Sequence, residues 1–73
     1  MTIGLLTAKP SVTRQAIACV NRMDLGRPYL IETLARMNGL KWKDVRSLMW
    51  VGEHHGRIIR KRKAGRTYYV RVK

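Results

Sequence analysis

The hydrophobic period changes midway through residues 40–72, and this switch limits the folds open to the chain more than any other feature. In its first part Val45, Leu48, Met49 and Gly52 recur at spacings of three and four, the period of one helix face. From Arg57 onward the period becomes two. Over residues 57–63 and 67–73, β-branched and aromatic residues alternate with Arg and Lys, and Ala64-Gly65 stands between the runs, which predicts a β-hairpin. A turn at that dipeptide sets Arg62 opposite Thr67, Lys61 opposite Tyr68, Arg60 opposite Tyr69 and Ile59 opposite Val70. On that register Ile59, Tyr68, Val70 and Val72 share the face expected to close the core. Ile58, Arg60, Tyr69 and Arg71 fall on the other face.

Upstream, Lys9-Pro10 closes an N-terminal arm, residues 1–10, whose Ile3, Leu5 and Leu6 either pack on the body or meet a partner. Ser11 is placed to cap a first helix, with Val12, Ala16, Cys19, Val20 and Met23 as its apolar stripe and an end near Gly26. Pro28 then either opens the next helix or lies with Arg27 and Tyr29 in a short strand. Leu30, Ile31, Leu34 and Ala35 form the stripe of a second helix, which stops at Gly39. A tight turn leads into a third helix over about residues 41–52, giving a helix-turn-helix. Around that helix Lys43, Arg46, Ser47 and Trp50 point outward. Trp42 borders the inward face and is expected in the core. Trp50 either covers the base of the hairpin or touches a ligand. No linker divides residues 11–73, so they are expected to form one domain.

Charge narrows the function. The chain has 73 residues and a formal net charge of +12, and eight of its sixteen Lys and Arg lie from Arg57 onward with no acid among them. Such a segment calls for a polyanion. A hydrophobic fraction of 45% with two prolines argues for a folded domain rather than disorder. A membrane-binding basic helix would carry its charge on one helical face, whereas here the charge sits on a hairpin, so no membrane partner is expected. No apolar run approaches the roughly 20 residues of a membrane span, and MTIGLLTAKP has neither a basic leader nor a long apolar block. The single Cys19 cannot close an internal disulfide and is expected as a buried thiol in a reducing compartment, the cytoplasm.

Catalytic chemistry is not expected. His54 and His55 are adjacent and point apart on a helix, so a shared metal is not expected. Asp24, Glu32, Asp44 and Glu53 suit helix ends and surface pairs better than an acid/base dyad. Ser11 and Ser47 lack a nucleophile's context, and no glycine-rich phosphate loop occurs, so neither enzyme activity nor a cofactor is expected.

Three helices with a tight turn before the third, then a two-stranded hairpin, resemble the winged helix-turn-helix family of small bacterial and phage transcription regulators, fimbrial-operon regulators included. Leu40 at the turn, Val45 five positions on, Gly56, Ile58-Ile59 and Arg60 carry the resemblance, which covers residues 11–73. Gly52 departs from it, since the family usually has Leu or another apolar residue there and the helix end is then either frayed or closely packed. The basicity of the hairpin also departs from the family. The resemblance implies an α+β fold with a C-terminal two-stranded wing, the third helix in the major groove of duplex DNA, and the wing (residues 57–73) on the backbone or in the minor groove. It also implies transcriptional regulation in association with the nucleoid. Lys41, Lys43, Arg46, Ser47 and Trp50 are then the DNA-binding residues of the helix, with Arg46 reading bases. Arg60, Lys61, Arg62, Lys63 and Arg66 are those of the wing, expected to form one surface with the helix. One short domain reads few base pairs, which favours a homodimer, tandem binding or a co-bound protein. Two other classes fit the charge: a small interaction protein for an acidic protein partner, and an RNA-binding module in which Trp50 and Tyr69 stack on unpaired bases.

Overall fold

The computed structural model describes residues 10–73. In chain order it contains α1 (Pro10–Asn21), β1 (Pro28–Tyr29), α2 (Ile31–Asn38), α3 (Trp42–His54), β2 (Ile58–Lys63) and β3 (Arg66–Arg71). Among the described residues the fold is α+β, three helices with a three-stranded antiparallel sheet of order β1-β3-β2. Residues 1–9, and with them the contact expected of Ile3, Leu5 and Leu6, lie outside the described residues.

α1 begins one residue before the Ser11 cap that the sequence suggests. Pro10 takes the first helical position, where a missing N–H costs nothing and a fixed φ suits the helix. Ala16, Cys19 and Val20 are buried on one face, and Met23 is buried just past the helix end. β1 is the extended alternative at Pro28, and it adds a third strand to the expected two. Pro28 pairs with Val70 and Tyr29 with Tyr69, while the Tyr29 hydroxyl accepts a hydrogen bond from the Asp24 N–H at 2.8 Å. Arg71 ties β3 to the same corner, its Nη1 donating to the Met23 carbonyl at 3.0 Å.

Gly39 ends α2 in the left-handed region at φ 62°. Its own N–H bonds to the Arg36 carbonyl and that of Leu40 to the Ala35 carbonyl, so two otherwise orphaned carbonyls are satisfied and the chain reverses within three residues. Leu40 packs on the core and Lys41 stands extended before α3. The turn sets α3 against both other helices. Val45, Leu48, Met49 and Gly52 are buried as their spacing predicts, and Val51 joins them. Of the two readings of Gly52, close packing is the observed one. A Cβ built there would stand 3.2 Å from Val20 Cγ2 and 3.3 Å from Ile58 Cγ1, so the missing side chain lets α1 and β2 approach the α3 backbone.

The hairpin register is the predicted one at every named pair. Its turn places Ala64 at φ 53° and Gly65 at φ 75°, both central residues left-handed as a two-residue hairpin turn demands. The expected core face is corrected. Ile58 and Tyr69 are buried, whereas Ile59 and Val72 are 41% and 43% exposed and Tyr68 is half-buried. The cause lies at the α3–β2 corner. Gly56, at φ 68°, turns the chain so that Ile58 drops into the space that Gly52 leaves, and the strict alternation of the strand sends Ile59 outward. Val70 lies on that outer face and is buried all the same, because β3 is the middle strand with a neighbour on each side.

Candidate nucleic-acid interface

α3 presents two distinct strips to solvent. Lys43 and Ser47 lie exposed on its outermost ridge, Lys41 stands exposed just before its first turn, and no described element covers them. The Ser47 hydroxyl is already used within the helix, donating to the Lys43 carbonyl at 3.3 Å. The second strip faces the hairpin and carries Trp42, Arg46, Trp50 and Glu53, at the spacings of one helical flank.

Both tryptophans differ from a simple core role. Trp42 is 49% exposed, against the core position expected of it. It is the first residue of α3, at the rim of the inward stripe, and the hairpin leaves a notch beside it. The Lys43 ammonium lies 5.9 Å from the centroid of its ring, a cation–π contact. Trp50 lines a shallow notch with Glu53, His54 and Arg60 at the base of the hairpin. It sits half-buried against the core, its ring 3.8 Å from that of His54 and tilted by 55°.

The hairpin divides its cations. Because side chains alternate across a strand, five neighbouring basic residues cannot share one face. Arg60 and Arg62 stand opposite Tyr69 and Thr67 on the side of α3, whereas Lys61, Lys63 and Arg66 belong to the outer face with Tyr68 and Val70. The expected single surface of helix and hairpin is therefore corrected. α3 shares a face with Arg60 and Arg62, and Lys61, Lys63 and Arg66 point the other way. Lys63 and Arg66 stand directly opposite one another, a repulsive pair that a bound anion would relieve.

Among the described residues Arg60 is the hairpin cation held in place by an ion pair. Its Nε donates to Glu53 Oε2 at 3.0 Å, joining β2 to the last turn of α3. On one side of it lies a notch lined by Ile31, Trp42, Arg46, Arg60, Thr67 and Tyr69. Burial pushes the Tyr69 phenol above its ordinary range; Arg60 opposes this shift, Glu53 reinforces it and Arg46 opposes it. The raised value fixes the sign of a pH effect. The contribution of Tyr69 to stability is complete below the ordinary tyrosine range near pH 10 and is lost as pH rises through the higher folded value. In a spectrophotometric titration one tyrosine should therefore ionise late, and Tyr69→Phe should remove that phase. A late phase surviving in the variant would assign the buried phenol elsewhere.

Cys19 is buried, and burial raises its thiol pKa more than Arg22 lowers it. Among the described residues no helix is long and apolar enough to cross a membrane, and no three His, Cys, Asp or Glu side chains come together. The residue at this candidate site that the sequence does not point to is Glu53, which reads there as a helix-end acid. Its spacing to Arg60 spans a corner, and only the tertiary turn brings the two together. No family model matches the chain, and no curated protein or solved structure is significantly similar to it.

Proposed function

We propose that the chain is a winged helix-turn-helix protein that binds duplex DNA and regulates transcription at the nucleoid, with α3 in the major groove and the hairpin as its wing. One observation carries this reading: Lys43 and Ser47 on the outer ridge of α3, and Lys41 just before it, are exposed on a chain whose hairpin is rich in exposed Arg and Lys. An α-helix has the width of a major groove, and Lys at its exposed positions can reach base edges or phosphates. The two-faced hairpin suits a ribbon whose tip enters between phosphate strands, the small Ala64-Gly65 turn leading and cations flanking it on both sides. With so few residues on the helix ridge, sequence preference would rest on few base pairs, so a second copy or a co-bound protein would complete the site.

A second reading is favoured by one feature, the half-exposed indole of Trp42, which is suited to stacking on an unpaired base of RNA or single-stranded DNA. Competition separates the two. With labelled duplex DNA bound, unlabelled duplex should displace it at far lower concentration than single-stranded RNA or DNA of equal length. Equal or better competition by the single strands would reverse the order of the two readings. Capture of an acidic protein that survives nuclease treatment would instead favour a protein partner.

A further inference from the structure

The notch between α3 and the hairpin is built unlike a plain surface patch. Arg46 comes from the middle of α3 and Arg60 from β2, two elements that meet only in the tertiary fold, and both guanidiniums line the same notch. Glu53 supplies one negative charge against these two cations. The other described acid on α3, Asp44, lies on the far flank beside Val12 and Leu40. Glu53 takes the Nε–H of Arg60, and among the described residues the terminal nitrogens make no further hydrogen bond. The notch thus holds an excess of positive charge with donors left over, next to the hydroxyls of Thr67 and Tyr69.

Size and lining narrow the ligand. The cavity is about 210 Å³, below the about 300–1,000 Å³ of pockets that enclose a drug-sized molecule. A tetrahedral oxyanion fits such a space, with two guanidiniums able to give it paired, charge-assisted hydrogen bonds. Ile31 and the open indole of Trp42 form an apolar wall that a bare ion would leave uncovered, whereas the sugar of a nucleotide would lie against it. We infer that the notch clamps one backbone phosphodiester of the bound nucleic acid, gripped by Arg46 and Arg60, with Glu53 orienting Arg60 and Trp42 covering the adjoining sugar. This inference rests on the nucleic-acid reading above, and it gives Arg46 a different task from base recognition: Arg46 secures the strand while Lys43, on the ridge, faces the bases.

Two arms test it on the whole chain. In the first, arginine Nε–H and tryptophan indole resonances are followed while a thymidine dinucleotide diester, or inorganic phosphate, is added at constant ionic strength against a chloride control. The diester should move Arg46, Arg60 and Trp42 together and leave Trp50 in place. A response to inorganic phosphate alone would overturn the assignment to backbone phosphate, and no response to either would overturn the site. This arm does not depend on duplex binding, so a chain that ignores duplexes yet responds to the diester would sink the duplex reading and keep the clamp.

The second arm uses duplexes carrying a single neutral methylphosphonate at successive positions, with Arg46→Gln and Arg60→Gln chains. Both residues are exposed, so neither substitution threatens the fold. Each should weaken every sequence alike, by about tenfold, and because both grip one phosphate the double variant, rather than each single one, should lower the salt slope by about one. One methylphosphonate position should weaken wild type strongly, each single variant less, and the double variant not at all. If Arg46→Gln instead narrows the gap between preferred and other sequences, Arg46 reads a base and the clamp is wrong.

Discussion

Raising the salt from 50 to 200 mM is expected to weaken duplex binding by about a thousandfold. The proposed interface offers eight cations, Lys41 just before α3 and Lys43 and Arg46 on it, with Arg60, Lys61, Arg62, Lys63 and Arg66 on the hairpin. Not all of them can engage at once. Arg60 is partly neutralised by Glu53, and the hairpin cations divide between two faces. If about six phosphates are neutralised, the released counterions give a log–log slope near −5, and a fourfold rise in salt then removes about three orders of magnitude. Fluorescence anisotropy over that salt range measures the slope directly. A slope shallower than about −2 would mean that only one face of one element meets the backbone, and the proposed docking of helix and hairpin together would fail. Because the slope counts contacts, single neutralisations divide it among residues. Lys61→Gln, on the outer face, should flatten it by about one unit if the tip lies between two phosphate strands. It should leave the slope unchanged if only the α3 side of the hairpin touches nucleic acid.

The second large effect concerns stability. Replacing Gly52 by the leucine usual at that position in the family the chain resembles is expected to destabilise this protein by about 2 kcal/mol, although the change buries more apolar surface. Even the first added carbon would meet Val20 at 3.2 Å and Ile58 at 3.3 Å, tighter than ordinary contact, and three more carbons must follow it. Overpacking of that kind costs about 1–3 kcal/mol and sometimes more. Removing a helical glycine returns at most about 1 kcal/mol through backbone entropy. A domain of this size has a total stability of only about 4–10 kcal/mol, so the midpoint of thermal unfolding should fall by about 8–16 °C. Gly52→Ala meets the same neighbours with one atom and should lie near neutral, its two effects opposed. A leucine variant as stable as wild type would show that α1 and β2 can retreat from α3, and Gly52 would then not be what sets the distance between these elements.

That position also shows how the chain could be read and where reading stopped. The spacing of Val45, Leu48, Met49 and Gly52 identified the buried face of α3 because helical periodicity is a local property. The hairpin register was equally legible, since a two-residue turn at Ala64-Gly65 determines every pair that follows. The face that the hairpin would bury was not legible. Ile58 and Ile59 are adjacent, chemically alike, and compatible with either choice, and the register is the same for both. The corner at Gly56 and the gap at Gly52 select Ile58, a choice made between elements rather than within one. Trp42 was misplaced for a related reason, since a residue at the rim of a helix stripe is covered only if a neighbouring element extends that far.

From its sequence alone the chain specifies three helices, the left-handed stop at Gly39, the hairpin turn, the excess of positive charge and where along the backbone that charge falls. All of these follow from interactions among residues a few positions apart. Tertiary structure alone decides that Arg60 meets Glu53 and Arg46, and that Lys61, Lys63 and Arg66 face away from α3. The reason is physical: the pleat divides a run of like charges between two faces, and only the packing of β2 against the bare backbone at Gly52 determines which face looks toward the helix.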